Sequence, residues 1–475
     1  MSTDETWQPA RLIPVSGLSN TDEQERRGAS ALLAVMQSVK EYGRSILQIV
    51  GAPAGRIETY IEVPFEVEGI SYRPDGLIRV RKGASTWTAL VEVKVGKDKL
   101  VESQIKAYLE IARQESFDAV ITISNELATM GGMHPLSIDK RLTKKVPLHH
   151  ISWSLLHAEA LIERVNQSVA VTEQAWILSE FIRYLEYPRS GAVDFDDMGP
   201  SWVQVRDAGV ASTLRANDQA TRDVVDRFSQ LTRYVAMNLS SQLGVQVRRV
   251  LSRQDRNNPG AFIQNGCDEL ATTGRMKGSI TVPNAASPID ITVDLRSGRI
   301  SCSVTLVAPS QNKPRTRVSW LLRQTKDMPP DLVLTANGLK ARDVGPALRL
   351  DKVIDNPDSL LPHPKFDVRS FTLTLSSVAG SKRGQGKGSF VGSVVDLVNR
   401  FYEIVVQDLK PWSPPAPKVT SVPVVPTSQG GQPAEIPPSL AGVMPESIVP
   451  IEELVPPQPP SAPPIDDSPS EPGQA

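Results

Sequence analysis

Cysteine is almost missing from this chain. Cys267 and Cys302 are the only two in 475 residues, which excludes a disulfide scaffold and a cysteine-based zinc site. Histidine is scarce as well: there are five, and His149 and His150 are the one close pair. Adjacent residues on a strand point to opposite faces, so that pair makes a poor metal clamp. No stretch approaches the roughly 18 uncharged apolar residues that a membrane span requires. The opening MSTDETWQPARL lacks a basic-then-apolar leader pattern. These absences predict a cytoplasmic protein with no membrane association.

Proline and charge are present but unevenly spread. The formal net charge of −1 conceals three unlike segments. Residues 411–475 hold 19 of the 39 prolines, with seven acids and one lysine. They predict a disordered or partly polyproline II tail. A plain acidic tail is the simpler reading; the run Pro456-Pro457-Gln458-Pro459-Pro460 would otherwise suit a protein partner whose groove reads polyproline II. Residues 206–410 carry 29 Lys and Arg against 19 Asp and Glu, which suits contact with a polyanion such as nucleic acid. Lys313, Arg315, Arg317, Trp320 and Arg323 are the candidates there, against the plain reading of a solvated basic surface.

Hydrophobic periodicity divides the rest. A flexible stretch, 1–22, precedes a domain over 23–190. Within it, helical spacing runs from 24 to 49, strand-like runs cover 59–68, 71–81 and 86–95, and a helix covers 101–115. A buried strand follows at 118–124, another at 146–152, then helices to about 165 and over 172–186. Pro188 and the stretch Asp194–Asp197 read as a boundary. The block 206–410 reads as α+β, with a helix over 212–243, strands at 278–282, 289–295, 299–307, 316–323, 331–336 and 369–377, and a helix over 390–409. Gly380 to Gly388 lies between a strand and a helix, as a phosphate loop does. Its spacing is one residue too long, and Gly388 stands where a magnesium-binding hydroxyl belongs.

The chemistry concentrates between residues 72 and 108. On the strand 86–95, Thr88, Leu90, Glu92 and Lys94 share one face, and Ala89, Val91, Val93 and Val95 share the other. The second face is wholly apolar and suits helix packing. Asp75 follows Pro74 on the neighbouring strand, so two carboxylates and an ammonium converge. That grouping suits Mg²⁺ or Mn²⁺, hard ions that take one or two carboxylates and keep several waters. Gln104 and Tyr108 lie one helical turn apart and face the same way. The basic run Lys140-Arg141-Leu142-Thr143-Lys144-Lys145 suits phosphate contact, with Lys144 and Lys145 as candidates, or is an ordinary exposed loop.

Pro74-Asp75 followed by Glu92-Val93-Lys94 resembles the PD-(D/E)xK nuclease superfamily, and Gln104 to Tyr108 resembles the QxxxY motif of its RecB-like branch. The resemblance covers about residues 25–165. It implies an α/β fold with an αβββαβ restriction-endonuclease-like core and a mixed sheet. It implies metal-dependent hydrolysis of phosphodiester bonds, with DNA as substrate and defence or repair as the setting. Asp75 and Glu92 would ligate the metal, Lys94 would assist the attacking water, and Gln104 and Tyr108 would place substrate or site groups. An acid from the first helix is also implied. Glu41 is the candidate, with Glu62 or Glu66 as substitutes. The other functional classes are a non-catalytic nucleic-acid-binding protein and a protein-interaction scaffold.

Overall fold

The helical spacing after residue 20 forms two helices rather than one. In the computed structural model, α1 (Thr21–Ser38) and α2 (Lys40–Ile49) meet at Val39, which takes an extended conformation with φ −103° and ψ 92°. Asn20 caps α1 by accepting the Glu23 N–H at 2.8 Å, satisfying one of the donors a helix start leaves open. The two helices pack closely because position 43 has no side chain. A Cβ on Gly43 would stand 2.0 Å from the Met36 carbonyl oxygen and 2.8 Å from the Ile57 side chain.

The structure describes residues 12–13, 20–67, 69–128, 134–165, 169, 171–192, 195, 197–310, 313–340, 342–384 and 386–413. Most of the expected flexible N-terminus, Asp194 and Asp196 of the expected boundary, and the Pro-rich tail beyond residue 413 lie outside them.

The protein is mixed α/β. Its first sheet has the order β1 (Arg56–Ile61), β4 (Gly76–Lys82), β5 (Ser85–Val93), β6 (Ala119–Ser124), β7 (Leu148–Ser152). The first three strands are antiparallel; β6 and β7 join in parallel. A parallel strand needs a crossover, and α3 (Glu102–Gln114) supplies the one from β5 to β6. Two expected strands are broken. The run 59–68 turns at Glu62, which has φ +50°, and at Pro64; the run 71–81 stops at Pro74, which has no N–H for a ladder. The pieces left over, β2 (Phe65–Val67) and β3 (Ile70–Tyr72), form a separate two-stranded sheet.

Both faces of β5 are covered. Ala89, Val91, Val93 and Val95 pack with residues of α1, α2, α5 (Trp153–Val165) and α6 (Thr172–Leu185), among them Leu32, Met36, Leu156 and Phe181. On the other face Leu90 packs under Ile105, Tyr108 and Leu109 of α3. The short α4 (Lys140–Thr143) precedes β7.

The chain passes through α7 (Trp202–Val210) and α8 (Gln219–Leu243) to a second sheet, preceded in part by α9 (Arg253–Asn257) and α10 (Pro259–Thr273). Its strands are β8 (Arg248–Arg249), β9 (Arg275–Thr281), β10 (Ile289–Asp294), β11 (Arg299–Val307), β12 (Val333–Asn337), β13 (Leu348–Arg349) and β14 (Ser370–Val378). They lie antiparallel in the order β13-β12-β14-β11-β10-β9-β8. The segment 316–323, expected as a strand, is helical: α11 (Pro314–Gln324) starts at a proline whose fixed φ suits a first turn. The last elements are α12 (Leu350–Asp355) and α13 (Phe390–Phe401). The described residues of both sheets belong to one compact unit. Among the described residues no helix is long and apolar enough to cross a membrane.

Replacing Gly43 by alanine forces a methyl group against backbone. The expected result is a destabilisation of roughly 1–3 kcal/mol, read as a lower thermal midpoint. An unchanged midpoint would contradict the close α1–α2 packing.

Candidate active site

Asp75 is placed by the break at Pro74. Immediately before β4, its Oδ2 accepts the Val93 N–H of β5 at 2.7 Å. A side chain thus continues a strand pairing that the backbone has left, and this fixes the carboxylate beside Glu92. Glu92 itself is 1% exposed, in the penultimate position of β5. Desolvation, then the negative charge of Asp75, raises its pKa to about 7, against the opposing pull of Lys94. The Asp75 carboxyl is also raised, first by burial.

Lys94 is held at both ends. Its N–H donates to the Ile123 carbonyl at 2.7 Å, and its carbonyl accepts the Trp153 indole N–H at 2.9 Å. Its Nζ lies 2.9 Å from Glu92 Oε1 and 3.0 Å from Glu25 Oε2. Burial pulls its pKa down, but the two carboxylates more than reverse this and the net shift is upward. Lys94 is therefore an ammonium.

Glu25 is the residue that sequence reading missed. The expected acid, Glu41, stands on α2, and among the described residues none of the cluster's hydrogen bonds or ion pairs reaches it. Glu25 comes from the first turns of α1 and is buried. Its signal was present: Glu25 shares a helical stripe with Ala29, Leu32 and Met36, all buried, and a carboxylate on an apolar stripe needs a partner. Of the substitutes, Glu66 is exposed on β2. Glu62 pairs with Arg26 at 3.5 Å, and its N–H donates to the Asp75 carbonyl at 3.4 Å. Beside Asp75 opens a cleft of about 580 Å³, walled in part by Arg26, Arg27 and Glu62.

Gln104 and Tyr108 meet as their spacing predicts. Gln104 Nε2 donates to Tyr108 Oη at 2.9 Å, and the Tyr108 hydroxyl lies close enough to Glu92 for the two to influence each other's ionisation. Burial and then the Glu92 charge raise the Tyr108 pKa, so its proton stays in place. Lys144 and Lys145 are exposed on the turn before β7, and none of the cluster's hydrogen bonds or ion pairs reaches them among the described residues.

A polar row continues the site across the sheet. Glu92 is in register with Thr122 on β6, and Thr122 with His150 on β7. Contacts and burial together keep both imidazoles neutral. His134 Nδ1 accepts the Leu136 N–H at 3.0 Å, so its Nε2 donates to Thr122 Oγ1 at 2.8 Å. Thr122 then donates to His150 Nδ1 at 2.9 Å, and His150 Nε2 donates to the Glu126 carbonyl at 2.8 Å. Burial lowers the His134 pKa to about 4 and that of His150 to about 3. His149, the other member of the pair, is half-buried.

The carboxylates suit a hard divalent cation. Glu25 Oε1 is buried and accepts no hydrogen bond among the described residues; Glu92 Oε1 faces Lys94 Nζ out of line for one. Buried acceptors rarely stay unsatisfied, and a cation offers what they lack. Among the described residues no three His, Cys, Asp or Glu side chains are gathered into a ligand set of their own, so water or a substrate phosphate would complete the coordination. No family model, curated protein or solved structure matches the chain.

Elsewhere, the basic candidates of the second sheet are partly committed to structure. Arg317 is buried, bonded to Asp367 at 2.8 Å, to the Ser310 carbonyl at 2.9 Å and to the Val368 carbonyl. In the glycine-rich loop before α13, Arg383 pairs with Asp197 at 3.0 Å.

The histidine row sets a pH dependence. A histidine whose folded pKa is depressed binds fewer protons folded than unfolded, so stability falls as pH drops below about 6.5 towards 4. Glu92, raised to about 7, acts oppositely: its protonated form favours the fold, and that contribution fades as pH rises from about 4.5 through 7. His150→Gln is expected to lower the thermal midpoint at pH 7 and to flatten its decline towards pH 4. An unchanged slope would show that the row carries no such linkage.

Proposed function

We propose that the first sheet carries a metal-dependent nuclease of the PD-(D/E)xK type, with a restriction-endonuclease-like core, hydrolysing phosphodiester bonds in DNA. The observation that carries this reading is the convergence of Asp75, Glu92 and Lys94, joined by Glu25 from α1, at the edge where β4 and β5 part. An isolated surface ion pair would be exposed and weakly held. This group is buried, ordered by backbone hydrogen bonds, and retains an acceptor oxygen without a hydrogen bond.

Asp75 and Glu92 are the residues that would hold Mg²⁺ or Mn²⁺, with Glu25 beside them. Such an ion, when bound, polarises a phosphoryl oxygen and makes its water more acidic. The remaining work falls to the chain. Lys94, an ammonium between two carboxylates, donates hydrogen bonds to the attacking water or to a phosphate oxygen. It holds that water in place and takes no proton from it in this state. Tyr108, held by Gln104, stands beside Glu92, where its hydroxyl would donate to the carboxylate once a cation draws that group into place. In the hydrolysis itself, the water oxygen forms a new bond to phosphorus and releases a proton to solvent, the bond to a sugar oxygen breaks, and that oxygen takes up a proton from solvent. The cleft beside Asp75 carries Arg26 and Arg27 together with Glu23, Glu62 and Asp75, so a cation on the carboxylates would be needed to draw a phosphate backbone into it.

The test is a cleavage assay with purified full-length protein on linear, circular and single-stranded DNA, with Mn²⁺, Mg²⁺ or EDTA. Metal-dependent cutting is expected, reduced about 100-fold or more in Lys94→Ala and in Glu92→Gln. Glu25→Gln should also slow cutting, whereas Glu41→Gln should not. Cutting that survives in Lys94→Ala would overturn the assigned chemistry. Salt-sensitive DNA binding without cutting in any metal would make the protein a binding module instead.

A further inference from the structure

The segment 94–101 joins β5 to α3, and Lys94 is its first residue. Its backbone is pinned. Gly96, at φ +60°, donates its N–H to the Gly191 carbonyl at 2.8 Å. Asn125 Nδ2 donates to the carbonyls of Gly96 at 2.9 Å and of Gly191 at 2.8 Å. The Asp98 N–H closes a turn onto the Val95 carbonyl at 3.2 Å. The segment around Gly191 also meets the start of α1. A Cβ on Gly191 would stand 2.8 Å from the Val95 Cβ and 3.2 Å from Gln24 Oε1, and Glu25 is the next residue. A fixed loop therefore borders one side of the carboxylate cluster.

The charges on this border are uncommitted. Lys97 and Lys99 are exposed on the loop, and Arg189 is exposed just before Gly191. Arg73 is exposed on the other side of the cluster, two residues before Asp75. Among the described residues none of these four takes part in a hydrogen bond or an ion pair. Bases nearby are already paired: Lys106 with Glu102 at 2.6 Å, and Arg26 with Glu62 at 3.5 Å. Asp98, between the two lysines, is the one acid on the loop. Lys97 and Lys99 follow Lys94 by three and five residues. Even a fully extended chain keeps their Cα atoms within about 11 and 18 Å of its own. That is a few nucleotide steps, at about 3.4 Å of axis per phosphate along one strand.

We infer that this border is the track on which the phosphate backbone of a DNA substrate lies, with Lys97, Lys99 and Arg189 on phosphates to one side of the cluster and Arg73 on phosphates to the other. The inference rests on the reading of the cluster as a phosphodiester-hydrolysing site and adds the surface that feeds it. An ammonium on a flexible stem is a point charge that accepts any phosphate oxygen. Contacts of this kind fix where a strand runs and carry no sequence information.

The test measures binding apart from cutting. Full-length protein is titrated with a labelled DNA duplex and a labelled single strand in Ca²⁺, a hard cation that takes oxygen ligands as Mg²⁺ does, by fluorescence anisotropy over a range of salt. Lys97→Ala combined with Lys99→Ala is expected to weaken binding roughly ten-fold or more at low salt, and to lower the slope of log K against log salt by about two, with an unchanged thermal midpoint. Asp98→Asn should tighten binding, because it removes a charge that repels phosphate. The charge-matched control, Lys144→Ala with Lys145→Ala on the turn before β7, should leave the slope as it is. Equal losses in the two double variants would reduce the effect to net charge and overturn the track. So would a Lys97→Ala, Lys99→Ala protein that binds like the parent, or a parent that binds neither DNA. The same proteins in Mn²⁺ separate this inference from the nuclease reading. Binding lost through Lys97 and Lys99 in a protein that never cuts supports the track and removes the enzyme, whereas cutting with binding unmoved removes the track alone.

Discussion

One buried carboxylate organises the first sheet. Glu92 is almost wholly removed from water inside a strand whose other face is apolar, and a charge in that position needs neighbours. Lys94 offers an ammonium, Tyr108 a hydroxyl proton, and Asp75 a second carboxylate whose presence works against ionisation. Each neighbour is itself held. Asp75 is anchored by the Val93 N–H, Tyr108 by Gln104, and Lys94 by the Trp153 indole on its carbonyl and by Glu25 on its ammonium. The break at Pro74, the α3 crossover and the stacking of α1 on the sheet all bring a group to this one residue.

The polarity does not stop at Glu92. Thr122 and His150 follow it in register on the next two strands, and His134 closes on the threonine from a loop. The contacts give each imidazole a complete set of partners, and burial keeps both neutral rather than charged. This explains how a sheet buried on both faces carries a line of polar side chains. Complete pairing makes such a network stable, and the same low dielectric makes any added proton disruptive.

Much of this site was legible because it is local. Strand alternation places Glu92 and Lys94 on one face, and a four-residue helical step places Gln104 against Tyr108. What was not legible depends on contacts distant in sequence. The apolar spacing over 24–49 runs on without a visible break and so points to Glu41; the extended residue Val39 separates Glu41 from the segment that reaches Lys94, and it is Glu25 whose carboxylate meets that ammonium. The row through Thr122 and His150 rests on strand register, which hydrophobic pattern does not set between parallel neighbours joined by long crossovers. Four of the eight residues over 316–323 are apolar, Val318, Trp320, Leu321 and Leu322, and their spacing fits a helix as well as a strand; Pro314 at the first turn favours the helix. A cavity of about 410 Å³ joins Leu155 and Glu159 of α5 to Arg233 and Met237 of α8, and no local pattern signals it.

Trp153 begins α5, and its indole grips the carbonyl of Lys94. Leu155 and Glu159, on the same helix, stand in the wall of the cavity shared with α8. Six residues of helix span about 9 Å. A single stiff rod therefore has one end on the backbone of the catalytic candidate and its middle on a separate pocket. The backbone of Lys94 and the wall of that pocket thus rest on one common support.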